Sequence, residues 1–171
     1  MAIPSGNKSG FTIVELLIVI VVIAVLAAIS IVAYNGIQNR AYNSAVQSDL
    51  RNLAVLTRNA ATLNDGTPPA ATQAGLESFA KASKSAYQPR SGTSLLYCRT
   101  DTKFAFVAQS RTGQAYVVED GNIRSIGTWG GGNDDNACGG NATVGLVYGS
   151  DPGYGYINLY RNSTWQTWVK G

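Results

Sequence analysis

The sequence predicts an α+β protein: a long N-terminal α-helix, membrane-spanning in composition over its first half, packed on an antiparallel β-sheet head. Three observations predict it. Phe11 to Ala33 is a stretch of 23 residues in which only Thr12, Glu15 and Ser30 are not apolar. Proline-free helical spacing continues from Tyr34 to Leu63 and then meets the breaker Asn64-Asp65-Gly66-Thr67-Pro68-Pro69. Short apolar and aromatic runs follow, divided by Gly and Pro signals.

The first stretch is long enough to matter. At about 1.5 Å per residue its helix spans roughly 35 Å, enough to cross the hydrocarbon core of a bilayer. Leu16 to Ile29 is apolar without a break, so the helix is apolar all round and not on one face. A buried core helix and a secretory signal peptide are the alternatives. The signal-peptide reading takes Lys8 as the charged region and Ala28-Ile29-Ser30 as the cleavage site, and starts the mature chain near Ile31. The length of the run and Glu15 count against it. An ionised carboxylate costs about 2.5–3.5 kcal/mol at the centre of a membrane helix, less near its end, and calls for a partner. If the chain is cut between Gly10 and Phe11, Phe11 gains an α-amine four residues before Glu15. Within one helix the two share a face. Between staggered copies, the amine of one reaches the carboxylate of the other. Lys8 and the initiator amine precede the span and predict a cytoplasmic N-terminus, with Arg40, Arg51 and the C-terminal bulk outside.

The helix is expected to run on. Val46, Leu50, Leu53 and Ala60 fall at helical spacing, with Asn43, Gln47, Asp49 and Asn52 between them. Asp49 and Arg51 point to different faces. One helix of about 50 residues measures roughly 75 Å; the alternative is two helices broken near Asn35-Gly36. The predicted organisation is a polar leader at 1–10, a core or membrane helix at 11–34, its amphipathic continuation at 35–64, and a β-rich head at 65–171.

Within the head, a short helix is expected over 73–83, with Leu76, Phe79 and Ala80 as its apolar face. Pro89-Arg90-Ser91-Gly92 marks a turn. Strands are expected at 94–98, 104–108, 115–119 and 123–126, the last two joined by the two-residue turn Asp120-Gly121. Together they form a meander that packs on the helix. Tyr156 and Tyr160 are read on one face of a further strand, with Ile157 and Leu159 on the other. Tyr148, Tyr154, Trp165 and Trp168 complete an aromatic tail that packs at the edge of the head, between subunits, or against a glycan.

Composition removes several functions. No histidine is present, which takes away the commonest general base and metal ligand. The 13 basic residues are scattered from Lys8 to Lys170, so no clustered phosphate-binding groove is predicted. Two cysteines, Cys98 and Cys138, are too few for a four-ligand zinc site unless carboxylates join them. Gly127 to Thr143 holds six glycines but no Gly-Lys-Ser or Gly-Lys-Thr, which argues against a phosphate loop. Asp134 and Asp135 in that segment match no calcium loop, and a solvated surface loop is favoured. Asn141-Ala142-Thr143 and Asn162-Ser163-Thr164 fit the N-glycosylation pattern, which has meaning only in a suitable host. No enzyme activity, metal or cofactor is expected.

Ser9-Gly10-Phe11-Thr12-Ile13-Val14-Glu15-Leu16-Leu17 and the apolar run after it resemble the class III signal of type IV pilins and pseudopilins. The resemblance is close from Lys8 to Tyr34. It implies cleavage after Gly10 by a prepilin peptidase, N-methylation of the new first residue Phe11, and a docking role for Glu15. It further implies a homo-oligomeric extracellular filament, built from a single-pass membrane precursor by an assembly ATPase and platform proteins, and serving adhesion, twitching motility or DNA uptake. The fold implied is an N-terminal helix against a four- or five-stranded sheet. Family heads often carry one disulfide, which here implies Cys98–Cys138; two free buried thiols are the alternative. The chain departs from many members at Ala24 and Val32, where they carry Gly and Pro. No helix-weakening residue lies between Phe11 and Asn35, so a straighter helix is expected.

Overall fold

The structure is a computed structural model that describes residues 10–70, 80–87, 95–119, 121–128, 154–157, 160–161, 164–166 and 169–170. The leader before Gly10, the Pro89–Gly92 turn, Asp134, Asp135, Cys138, the Asn141-Ala142-Thr143 pattern, and Asn162 and Ser163 of the second glycosylation pattern lie outside these residues. The chain divides into two compact units, Met1–Gln38 and Asn39–Gly171.

Helix α1 (Ile13–Thr62) is a single α-helix of 50 residues and passes through Asn35 and Gly36 without a break. In the first unit its side chains are exposed throughout, from Ile13 to Ile37. In the second unit it becomes amphipathic. Val46, Asp49, Leu50, Leu53, Ala54, Thr57 and Ala61 are buried at three- and four-residue spacing, while Arg51 stays exposed. Burying Val46, Leu50 and Leu53 contributes about 1.5–3 kcal/mol each. The helix ends where the breaker sequence predicts. Asp65 and Gly66 both adopt positive φ, and the Asn64 and Gly66 N–H groups donate to the Ala61 carbonyl, each at 2.9 Å.

Four antiparallel strands form a meander: β2 (Leu95–Arg99), β3 (Phe104–Gln109), β4 (Gln114–Glu119) and β5 (Asn122–Thr128). The short strand β1 (Ala82–Ser83) precedes them. Strand β6 (Tyr154–Ile157) adds to the free side of β2, giving the order β5-β4-β3-β2-β6. Register places Tyr97, Phe106, Val118 and Ile123 in one row across the sheet. Tyr97 and Phe106 stack with ring centroids 4.7 Å apart. This row belongs to the core shared with Val46, Leu50 and Leu53 of the helix. Gly121, at φ +85°, makes the turn from β4 to β5. The other face is buried as well: Leu96, Cys98, Ala105, Val107 and Val117 are all inaccessible or nearly so. That is why β2, β3 and β4 read as continuous apolar runs and do not alternate.

Two expectations are corrected. The helix expected over 73–83 does not reach its end: Ala82–Ser83 is a strand, and a 3₁₀ turn follows at Lys84–Ala86. The Ser83 backbone is held by the Asp49 carboxylate, and Ala82–Ser83 pairs in parallel with β9 (Val169–Lys170), contacts a helix cannot make. Residues 71–79 are outside the described set. Tyr156 and Tyr160 do not share a strand. Tyr156 is in β6, paired with β2, whereas Tyr160 is in β7 (Tyr160–Arg161), which pairs with β8 (Thr164–Trp165) as a separate hairpin.

The segment 82–87 is a junction. Ser83 meets the helix, Ala82 meets the C-terminal strand, and the Ala86 carbonyl accepts the Arg111 N–H at 2.8 Å. The Lys84 ammonium lies 6.0 Å from the Trp165 ring centroid. A second tie joins helix to sheet: the Asn43 side-chain oxygen accepts the Ser110 and Thr112 hydroxyls at 2.6 and 2.8 Å.

Candidate processing and assembly site

Gly10, Phe11 and Thr12 lie outside the helix, which begins at Ile13. The backbone at Gly10 is open: a side chain added there meets nothing within 4 Å. Phe11 is 82% exposed. The Gly10–Phe11 peptide bond is therefore accessible and non-helical, the form in which a peptidase can take it.

Thr12 caps the helix. Its hydroxyl accepts the Glu15 N–H at 3.2 Å, and the Glu15 carboxylate accepts the Thr12 N–H at 2.8 Å and the Thr12 hydroxyl at 2.7 Å. Threonine at the cap and glutamate three residues on form a reciprocal capping box, which satisfies helix donors that otherwise lack partners. The negative charge also sits at the positive end of the helix dipole. Glu15 thus has a partner that sequence reasoning did not name. The signal was available as the Thr-x-x-Glu spacing from Thr12 to Glu15.

The other polar side chain in the run is satisfied too. The Ser30 hydroxyl donates to the Leu26 carbonyl at 2.8 Å. All three non-apolar side chains between Phe11 and Ala33 are therefore hydrogen-bonded within the helix and its cap, and the rest of that surface is hydrocarbon. At the end of the exposed apolar surface, Gln38 donates to the Tyr34 hydroxyl at 2.6 Å. The helix is long and apolar enough to cross a membrane, and its apolar stretch is unburied.

The family described as the prokaryotic N-terminal methylation motif matches residues 5–31. The chain carries the class III signal of type IV pilins. It is type IV pilin- or pseudopilin-like, and the signal and the apolar helix together fit a membrane-anchored precursor. The pilin signal contains Gly10 and Phe11 together with Thr12 and Glu15, the two residues that the cap joins. It points to a structural protein and not to an enzyme, and it implies processing by a prepilin peptidase. No curated protein and no solved structure matches the chain.

Of the remaining candidate residues, Cys98 is buried in β2, on the sheet face away from the helix-side core. Among the described residues, no three His, Cys, Asp or Glu side chains gather where they could hold a metal ion.

Proposed function

We propose that this chain is a structural subunit of a type IV pilus filament, serving adhesion, twitching motility or DNA uptake. The observation that carries the reading is Glu15, a carboxylate in the first turn of an exposed apolar helix, inside the methylation motif. The precursor is held in the membrane by residues 11–34 with its head outside. A prepilin peptidase cuts after Gly10, and Phe11 becomes the N-methylated first residue. The new amine then lies one residue before the Thr12 N–H that Glu15 already accepts. The Glu15 carboxylate exchanges this uncharged donor for the cationic amine of a neighbouring copy, which adds the attraction of opposite charges to the hydrogen bond. A neighbour one register out leaves both charges unpaired in an apolar core, so the contact reports correct placement.

The helices pack into the filament core and the heads tile the outside. Lipid tails are as apolar as these side chains, so burial alone does not drive subunits from the bilayer. An assembly ATPase and platform proteins supply the work. The head is closed by a Cys98–Cys138 bridge, which the extracytoplasmic compartment permits.

Glu15→Ala tests the assembly step. Processed subunits are expected in the membrane fraction and no filaments in the sheared surface fraction. Filaments at the unsubstituted level would remove Glu15 from the mechanism.

A further inference from the structure

A cavity of about 220 Å³ opens beside the C-terminal end of α1. Its floor includes Pro68, which is buried, and Phe104, which is partly buried; Arg58, Thr62, Thr102 and Lys103 form an exposed rim. Three separate pieces of chain build it: the end of the helix, the loop after it, and the turn between β2 and β3. We propose that this cavity is a binding site for a small oxyanion, the carboxylate or phosphate group of a ligand outside the filament core.

Charge is the first argument. Arg58 and Lys103 border the same cavity, and neither charged group has a hydrogen-bond or ion-pair partner among the described residues. The Thr102 hydroxyl stands beside them as a further donor, whereas the Thr62 hydroxyl is already donated to the Arg58 carbonyl at 2.9 Å. Asp65 and Asp101 lie on the bordering loops but do not line the cavity. Behind it, Arg99 donates from Nη1 to the Pro68 carbonyl at 2.8 Å, which fixes the wall and adds a third positive charge.

Geometry is the second. Gly121, at φ +85°, turns its bare backbone toward Arg58: a Cβ there would sit 3.6 and 3.7 Å from the two terminal guanidinium nitrogens. Arg58 is thus laid against Gly121 of the β4–β5 turn, and no described residue takes its N–H donors. A planar fork held in this way matches an oxyanion in two-point contact.

The end of a helix normally repels an anion, because its last carbonyls carry partial negative charge. Here the Asn59 carbonyl accepts the Leu63 N–H at 3.2 Å, and the Ala61 carbonyl accepts the Asn64 and Gly66 N–H groups. These oxygens are already engaged.

The test is amide NMR on the full chain in detergent, titrated at constant ionic strength with inorganic phosphate and, separately, with acetate. Saturable shifts are expected at Thr62, Gly66, Thr102 and Lys103. The anion that saturates at lower concentration tells a phosphate site from a carboxylate site. Arg58→Gln and Lys103→Gln each weaken binding about tenfold. Both side chains are exposed, and unchanged Ser110 and Gly113 signals certify the fold. Shifts that grow linearly with both anions, or saturation that is equal in the two variants, would overturn the proposal.

Discussion

The Asp49 carboxylate accepts two hydrogen bonds from one residue, Ser83: the backbone N–H at 2.7 Å and the hydroxyl at 2.9 Å. The pair is 34 residues apart in sequence and fixes α1 to the junction that holds the C-terminal strand. Asp49 is buried, and among the described residues no cation offsets its charge. Asp49→Ala leaves the Ser83 N–H without its acceptor and is expected to lower stability by about 1–3 kcal/mol. Asp49→Asn keeps an acceptor oxygen and loses less. Urea unfolding followed by near-ultraviolet circular dichroism measures both.

The same pair predicts a pH dependence. Burial raises the Asp49 carboxyl above its ordinary value of 3.8, and the Ser83 hydrogen bonds only partly oppose this. The folded head therefore takes up the Asp49 proton at a higher pH than the unfolded chain does. Asp49's contribution to stability rises as pH falls through its folded pKa toward 3.8, then levels off. The difference between the unsubstituted chain and Asp49→Asn, followed from pH 7 to 3.5, isolates the effect; a difference that does not change with pH contradicts it.

The buried Tyr87 hydroxyl makes no hydrogen bond of ordinary length among the described residues, although the Asp49 carboxylate lies close enough for its charge and a weak, longer contact to act on it. Burial comes first, and the Asp49 charge second, in raising its pKa well above 10.0. Tyr87→Phe is therefore expected to leave stability unchanged or raise it by about 1 kcal/mol at neutral pH. The unfolded chain ionises its tyrosine near pH 10.0 while the folded one stays neutral, so the unsubstituted head loses stability above that pH and the variant loses less. A clear loss at neutral pH in Tyr87→Phe means that the hydroxyl does donate to Asp49.

The proposed Cys98–Cys138 bridge closes about 40 residues and contributes roughly 4 kcal/mol on the chain-entropy model. Peptide mapping without reductant is expected to recover the two cysteines in one cross-linked species, and reduction is expected to lower the unfolding midpoint. Two separately alkylated thiols in the unreduced protein contradict the bridge.

Much of this molecule was legible in the sequence where one physical rule dominated. The unbroken apolar run, the proline-free spacing to Leu63 and the Asp65-Gly66 stop each name a helix feature, and α1 follows them. The apolar runs and Gly121 gave four strands to within two residues of their ends. The rest depended on contacts between distant residues. Ala82–Ser83 has helix-compatible residues, yet Asp49 and Val169 hold it extended. Asp49 reads as one polar residue among several on the helix, and only Ser83 explains its burial. The rim formed by Arg58 and Lys103 joins positions 45 residues apart, which no local pattern reports. The Thr12–Glu15 cap is local, and its Thr-x-x-Glu spacing is legible in the sequence.

The proposed function requires that the exposed Gly10–Phe11 bond is cut and that the resulting chain is built into a filament. Mass spectrometry of the N-terminal peptide from sheared surface filaments tests it most directly. A chain beginning at N-methylated Phe11 is expected in that fraction. A chain that retains Met1, or one that starts near Ile31, contradicts it.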